Sequence, residues 1–164
     1  MALPNKVLPG FSAALYAQPG ATPTPLTIAQ LSLVASVSPI AVSGNLLPVE
    51  AIPAFGMDDA VASFSVAGSR QSDKIPVQAA PTSMTITAAW NPADTNLLLM
   101  RADAYSGVID RTFVVSATEG ANNVYYAFNG RVGQFQIDAQ PGAEAKCTFT
   151  VHPRGNQYGW SNNA

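Results

Sequence analysis

The amino-acid sequence predicts a mainly β fold in which two packed β-sheets, forming a sandwich or barrel-like body, are flanked by one α-helix. Short stretches of alternating apolar and polar residues recur along the chain, and a period of two is typical of half-buried strands. Clusters of glycine, proline and asparagine separate these stretches, as turns require. One segment alone combines a helix start signal with a leucine-rich run. A chain of 164 residues is long enough for one domain with its own core.

The composition indicates a folded protein with a weakly charged surface. Charged residues make up 11% of the chain, which is under half of the roughly 25% usual in soluble domains. Apolar residues make up 48%, which is enough to build a core and argues against disorder. Because a weakly charged surface does little to keep copies apart, the composition predicts self-association.

Charge and the scarcity of reactive side chains exclude several functions. Eight lysine and arginine residues with a net charge of −2 argue against gripping nucleic acid, which requires clustered cations. A single cysteine, Cys147, excludes an internal disulfide and a thiolate-rich metal site. The single histidine, His152, would need a nucleophile and an orienting acid around it to act in catalysis. Its place at a strand end favours a surface role, so we expect no enzyme, metal or cofactor.

The chain shows no targeting signal or membrane segment in its sequence. The N-terminus lacks the basic and apolar regions of a signal peptide. No apolar run approaches the roughly 18 residues of a membrane helix. We therefore expect synthesis and folding in a cytoplasm.

The chain divides into an arm, a body and a tail. Prolines recur too often in residues 1–30 for a continuous strand, so this segment predicts an extended arm with one short strand, Phe11 to Ala17. Residues 31–152 form the β-sandwich body, and residues 153–164 form a polar C-terminal tail. The body begins with a predicted strand at 31–38. Its apolar face holds Leu31, Leu33, Ala35 and Val37, and its polar face holds Ser32, Ser36 and Ser38.

Residues 43–59 form a long loop that is unusually apolar for a compact domain. It either packs on its own body or waits for another chain. Asp58 and Asp59 at its end lack the regularly spaced oxygen donors that calcium requires, so a solvated tip or a salt bridge to a neighbour is expected. The apolar residues of the loop are Leu46, Leu47, Val49, Ile52 and Phe55.

Two strands and the helix follow this loop. Residues 60–67 predict a strand with Ser63 and Ser65 on its polar face, and residues 68–80 a polar link. Residues 84–90 predict the next strand. The helix is expected at 92–105, because Asn91 suits the cap position and Gly107 the stop. Its signals also include Pro92, Asp94 and the apolar run Leu97 to Met100.

The C-terminal half predicts three further strands. Residues 108–118 place Arg111, Phe113, Val115 and Ala117 on one face. An aromatic strand begins at Val124, and its apolar parity changes near Gly130 or Gly133, which requires a bulge or a sharp bend. Cys147, Phe149 and Val151 alternate with polar residues in the last strand.

The segment from Met84 to Val151 resembles the core of a phage tail tube protein, of the kind found in long non-contractile, siphophage-type tails. The strand Met-Thr-Ile-Thr-Ala-Ala-Trp90 runs straight into Asn91-Pro92 and the leucine-rich helix. Arg101-Ala-Asp103 and the strand Asp110-Arg-Thr-Phe-Val-Val115 follow. The match ends with the segment Phe128-Asn-Gly-Arg-Val132 and the strand Lys146-Cys-Thr-Phe-Thr-Val151.

The resemblance implies a structural virion protein rather than an enzyme. Copies would close into hexameric rings that stack into a hollow tail tube, through which DNA passes without specific binding. Tape measure, tail terminator and distal tail proteins are the implied partners. If each copy adds four strands, six copies give about 24, which at roughly 4.8 Å spacing and about 40° tilt form a backbone barrel on the order of 45–50 Å across.

The resemblance also assigns roles to particular residues. The loop 43–59 corresponds to a ring-to-ring loop, and the helix is expected to turn part of its apolar surface towards a neighbouring copy. Candidate contacts between copies are Leu46, Leu47, Ile52, Phe55, Asp58, Asp59 and Leu98. Candidate channel-facing residues are Ser32, Ser36, Ser38, Ser63 and Ser65.

Two functions of other classes share these features. A secreted adhesin or pilus-like β-sandwich has similarly low charge and many strands, but should carry a signal peptide. A small carbohydrate-binding module would use Trp90, Tyr125 and Tyr126 as a sugar platform and should be monomeric. A tube subunit of a contractile tail or secretion system is a near relative that this sequence alone does not separate.

Overall fold

The computed structural model describes residues 12–65, 72–119 and 122–163, and the prediction of a mainly β fold is confirmed. The predicted arm before residue 12 lies outside this part of the chain, as do residues 66 and 67 of the predicted strand 60–67. The strands are β1 (Ser12–Ala17), β2 (Met57–Ser65), β3 (Ser72–Pro81), β4 (Met84–Ala89), β5 (Asp110–Glu119), β6 (Asn122–Asp138) and β7 (Lys146–Asn163). The helices are α1 (Ile28–Leu31), α2 (Val34–Val37) and α3 (Thr95–Ser106), with a 3-10 turn at Ser43–Asn45.

Five strands form one antiparallel sheet in the order β1-β5-β6-β7-β4. Residues 122–131 of β6 pair with β5, whereas residues 130–138 pair with the first part of β7, which also pairs with β4. Buried side chains from both ends of this sheet belong to a single core cluster. The sheet therefore folds over on itself into two layers. The separate sheet is the hairpin of β2 and β3.

The predicted change of parity in the aromatic strand is confirmed. The pairing of β6 with β7 is irregular between Phe128 and Gly130, and again between Gly133 and Gln136. A Cβ on Gly130 would lie 3.0 Å from a Val151 methyl group and 3.2 Å from the His152 carbonyl oxygen. A side chain at this position would therefore crowd the neighbouring strand, which explains a glycine there.

The main core is aromatic and aliphatic and is capped by α3. The rings of Phe113 and Phe128 stack at 5.7 Å between centroids, and those of Phe135 and Phe149 at 6.0 Å. α3 contributes buried side chains to this cluster. The fully buried core residues include Leu15, Met84, Ile86, Leu97, Met100, Phe113, Phe128, Phe149 and Val151.

The predicted strand at 31–38 is wrong, because this segment forms α1 and α2 instead. Its buried side chains recur every three residues, at Leu31, Val37 and Ile40 with the half-buried Val34 between them. Leu33, which the strand would have buried, is 53% exposed. The two short helices lie against β6 and β7 and pack in one cluster with Val114 of β5, on the face opposite the main core. Residues 111–117 are buried along the whole run.

The predicted helix exists, but it begins three residues later than expected. Asp94 is the N-cap, and its carboxylate accepts hydrogen bonds from the Asn96 amide at 2.9 Å and the Leu97 amide at 3.2 Å. The Asn91 side chain instead accepts from the Ala93 amide in the turn before the helix. The stop at Gly107 is confirmed by its left-handed φ of 65°, which glycine adopts without strain.

Two segments predicted as irregular are strands. The polar link at 68–80 is wrong for residues 72–80, which belong to β3. The prediction of a separate C-terminal tail is wrong for residues 153–163, which continue β7 and pair with the first part of β6. Strand pairing uses backbone groups and needs no apolar alternation, so a polar segment joins a sheet when a partner strand is already in place.

Candidate functional site

The apolar loop packs on its own body, which confirms the first of the two alternatives for this segment. Leu47 is 1% exposed, and the half-buried Val49, Ile52 and Phe55 pack against the main core. The Phe55 ring lies 5.5 Å from the Tyr126 ring, centroid to centroid, at a tilt of 60°. The described loop is also shorter than predicted, because β2 begins at Met57.

Part of this loop, residues Leu46–Glu50, connects the two edge strands of the main sheet. We call this segment the strap. On one side, Leu47 donates its amide to the Leu15 carbonyl of β1 at 2.9 Å. On the other side, the Glu50 amide donates to the Thr87 carbonyl of β4 at 2.9 Å. The Ala89 amide of β4 donates to the Pro48 carbonyl at 3.1 Å.

Side chains hold the strap at each end. The side-chain Nδ2 of Asn96 on α3 donates to the Leu46 carbonyl at 3.1 Å and to the Gly44 carbonyl just before the strap at 2.9 Å. At the other end, Lys146 Nζ lies 2.5 Å from Glu50 Oε1. The hydrogen bond and the negative charge of Glu50 raise the pKa of Lys146. The strap is therefore tied to the helix, to the core and to the start of β7.

The β2–β3 hairpin carries four of the predicted site residues. Its two strands pair with each other from Met57↔Pro81 to Ser65↔Ser72, with one register shift between Ala60 and Val61. Within the described part of the chain, neither strand pairs with a third one. Among the strands that the structure describes, the outer edges of β2 and β3 therefore have no partner. Asp58, Asp59, Ser63 and Ser65 lie on β2.

An exposed apolar row lies on the outer side of α3. Leu98 is 39% exposed, Tyr105 is 74% exposed, and Val108 just beyond the helix is 71% exposed. Leu98 and Tyr105 are seven residues apart, which places them on the same side of a helix. The Arg101 guanidinium carbon lies 5.6 Å from the centre of the Tyr105 ring. Leu98 was a predicted contact residue, whereas Tyr105 and Val108 were missed because nothing local marks them as exposed.

The structure changes the placement of three of the predicted serine residues. Ser32 ends α1, and Ser36 and Ser38 lie within or just after α2, so the strand face assumed for these three does not exist. A polar row that the sequence reasoning did not assign lies on β4 and β7. Thr85 pairs with Thr150 and Thr87 with Thr148, on the side of both strands opposite the main core. Thr85 is exposed, Thr87 and Thr148 are half-buried, and Thr150 is buried. The alternation that predicted these strands contained the signal for this row.

A buried ion pair fixes α3 to the sheet. Arg111 Nε donates to Asp103 Oδ2 at 2.7 Å and Nη2 donates to Oδ1 at 3.1 Å, and both side chains are at most 1% exposed. Arg111 Nη1 also donates to the carbonyls of Gln18 and Gly20. This one guanidinium joins the helix, β5 and the segment after β1.

The described residues hold no grouping that points to metal chemistry or a membrane span. No cluster of three or more His, Cys, Asp or Glu side chains occurs within residues 12–65, 72–119 and 122–163. None of the helices described there is long and apolar enough to cross a membrane. The exposed His152 places Nδ1 3.0 Å from the Ser83 hydroxyl. Burial raises the pKa of the Cys147 thiol, which opposes thiolate formation.

The described fold, a folded-over five-stranded sheet with a separate hairpin and one long helix, is similar to several solved structures of tail and injection-system proteins. A chain of the PVC sheath/tube terminator, from an extracellular contractile injection system in the extended state, matches with a TM-score of 0.62 and 11% identity. That match covers 95% of this chain and 97% of the other. No family model and no curated protein sequence matches the chain.

Two further solved structures share the fold. A chain of the anti-feeding prophage baseplate matches with a TM-score of 0.59 and 10% identity, over 98% of this chain and 97% of the other. The SPP1 tail tube matches with a TM-score of 0.54 and 11% identity, over 93% of this chain and 78% of the other. At these identities the likeness establishes a shared fold. It extends over nearly the whole of this chain.

Proposed function

We propose that this protein is a structural, non-catalytic subunit of a phage-tail-like tube, in which copies close into hexameric rings that stack around a channel for DNA. The observation that carries the proposal is that its fold matches the SPP1 tail tube, a contractile-injection-system sheath/tube terminator and an anti-feeding prophage baseplate chain over 93–98% of this chain. The partners proposed are further copies of the chain and the tape measure, terminator and distal tail proteins of the same tail. The place of action is the tail of the virion.

The free hairpin supports assembly from identical copies. A two-stranded sheet is marginally stable alone in water, and unpaired strand edges readily pair with another chain. β2 and β3 are 9 and 10 residues long, so each offers an edge of useful length. Closing a ring of copies would pair these edges and leave none at the ends.

A weakly charged wall suits a conduit for DNA. A channel lined with lysine and arginine would hold phosphates and slow their passage, and this chain has only eight such residues. Ser63 and Ser65 on β2 stay candidates for the wall. The threonine row on β4 and β7 is the rival surface. The variants Ser63→Cys and Thr85→Cys distinguish the two surfaces. In intact tubes, a cysteine that lines the channel should react slowly with a bulky thiol reagent, and a cysteine on the outer surface should react quickly.

A second candidate role is a ring that ends or anchors a tube in a contractile system. The terminator and baseplate chains match with TM-scores of 0.62 and 0.59 and cover 97% of their own lengths, compared with 0.54 and 78% for the tail tube. A terminator adds one ring to the end of a tube, whereas a tube subunit adds rings without limit. The number of rings that the purified protein stacks therefore separates the two roles.

Negative-stain electron microscopy of the concentrated protein tests the proposal. Hollow tubes of varying length support a tube subunit, and single annuli support the terminating or anchoring role. Sedimentation over a range of concentrations measures the same association in solution. A protein that stays monomeric at millimolar concentration, even with purified tail tips added as an initiator, contradicts both roles.

A further inference from the structure

We infer that the strap, Leu46–Glu50, is a permanent closing segment that keeps the edges of β1 and β4 out of contacts between copies. This holds for the free chain and, if the proposed ring assembly is correct, for the assembled one. Strand pairing between copies would then use strand edges other than those of β1 and β4.

The inference begins with the two edges of the main sheet. An edge strand exposes a row of amides and carbonyls that template pairing with another chain. β1 and β4 are the edge strands of the five-stranded sheet. The strap forms single bridges to both, Tyr16↔Leu46 on one side and Val49↔Ala88 on the other. It therefore lies where a strand from a second copy would have to pair.

Hydrogen bonds engage the edge groups at the middle of this contact. The Leu15 carbonyl of β1 accepts from the strap at 2.9 Å. On β4, the Thr87 carbonyl accepts at 2.9 Å and the Ala89 amide donates at 3.1 Å. An incoming strand could use these groups only after the strap had left.

The strap is too deeply anchored to leave easily. Leu47 is a core residue that is 1% exposed, so removal of the strap would open the core to water. Asn96 holds its start through two carbonyls, and Lys146 holds its end through Glu50. Burial at the centre and anchors at both ends favour a permanent closure over a displaceable cover.

A disulfide staple tests whether the strap stays in place during assembly. Val49 and Ala88 are bridge partners, so Val49→Cys with Ala88→Cys should form a disulfide, in a Cys147→Ala background because Cys147 lies opposite Ala88 on β7. We expect the oxidised protein to form the same rings or tubes as the reduced protein, within twofold in rate. Loss of assembly on oxidation, restored by dithiothreitol, would overturn the inference.

Amide hydrogen exchange tests whether the strap is closed in the monomer, so this test does not require the protein to assemble. In the native monomer, the amides of Leu47, Glu50 and Ala89 should exchange at least tenfold more slowly than the amide of the exposed residue Ala54. Exchange at the rate of an open loop would contradict a closed strap, even if the chain never forms rings. If the amides are protected but no variant or wild-type protein assembles, the proposed function fails and the closure stands.

Releasing one anchor completes the test. Asn96→Ala should speed exchange of the Leu47 amide severalfold and increase irregular aggregates at high concentration, because the freed edges of β1 and β4 pair nonspecifically. Thr95→Ala, an exposed neighbour on the same helix, is the matched control and should change neither. Equal exchange rates and equal aggregation in the two variants would show that Asn96 does not hold the strap in place.

Discussion

The ion pair between Asp103 and Arg111 is the most buried of those that the structure describes. Both carboxylate oxygens accept from the guanidinium, and neither side chain is exposed beyond 1%. Removing one partner of such a pair leaves an uncompensated buried charge, which costs far more than the pair contributes. Arg111 lies on an apolar strand face in the sequence, and its ion pair with Asp103 explains why a cation is tolerated there.

We therefore expect Asp103→Asn to lower the free energy of unfolding by about 3–5 kcal/mol. Asp110→Asn is the control, because Asp110 pairs with the more exposed Arg131 and Arg154 and should cost about 1 kcal/mol or less. Urea unfolding followed by circular dichroism measures both. Equal losses in the two variants would show that burial does not dominate at Arg111.

The Lys146–Glu50 pair makes the free energy of unfolding depend on pH in the alkaline range. Its partner raises the pKa of Lys146 above the ordinary 10.5. The contribution of the pair is therefore complete below that value and disappears as the pH rises through the raised pKa. We expect Lys146→Met to have a lower urea midpoint than wild type at pH 8, and the difference to shrink at a higher pH where Lys146 loses its proton. A difference that persists unchanged at the higher pH would argue against the ion pair.

Gly159 is required by the close approach of α1 to β7. A Cβ at this position would lie 2.5 Å from the Leu31 carbonyl carbon and 2.6 Å from its oxygen. Gly159→Ala should therefore displace α1 and cost about 1–3 kcal/mol. Gly44→Ala, where a Cβ would meet nothing within 4 Å, should be nearly neutral. Thermal unfolding compares the two, and an unchanged midpoint for Gly159→Ala would place α1 elsewhere.

At the scale of elements, α3 tests how well capping signals position a helix. The sequence favours Asn91 as the cap, but Asp94 accepts the two amides of the first turn. Asp94→Ala should cost about 1 kcal/mol, and Asn91→Ala should cost less, because its side chain bonds only to the turn before the helix. Denaturant unfolding ranks the variants. The reverse order would restore Asn91 as the start of the helix.

Most strands predicted from alternation are present, but the alternating segment 31–38 forms parts of α1 and α2 instead of a strand. In residues 31–41 the apolar residues support a period of two and a period of three equally well, because alanine and serine occupy many positions. Whether the segment forms a helix or a strand depends on the sheet face that it covers, which includes Val114 of β5 and Tyr125 of β6. That face is distant in sequence, so local periodicity could not decide the outcome.

At the scale of the whole molecule, the candidate site was only partly predictable. Exposure of Leu98 followed from a helix too apolar for a single buried stripe. The closing role of the strap did not follow from the sequence, because it depends on β1, β4, α3 and β7 meeting around one short segment. The predicted contact residues Leu47, Ile52 and Phe55 contribute to the chain's own core, which leaves Leu46 and Leu98 as the exposed apolar candidates.

Contact between copies through the outer row of α3 gives the last prediction. Leu98 is 39% exposed on a helix that is anchored elsewhere by Leu97, Met100 and Asp103. Leu98→Glu should therefore leave the fold and its unfolding midpoint nearly unchanged, while a charge in an apolar contact prevents rings from forming. Thr95→Glu places the same charge at an exposed position in the first turn of the helix, where a negative charge is favourable.

The two variants are compared by circular dichroism, by sedimentation and by negative-stain microscopy at equal concentration. The Thr95→Glu protein should assemble like wild type, and the Leu98→Glu protein should remain a folded monomer. If both assemble normally, the outer side of α3 faces solvent in the tube, and the contacts between copies lie at the hairpin edges. If neither assembles, charge anywhere on this helix opposes association, and the apolar row has no specific part in it.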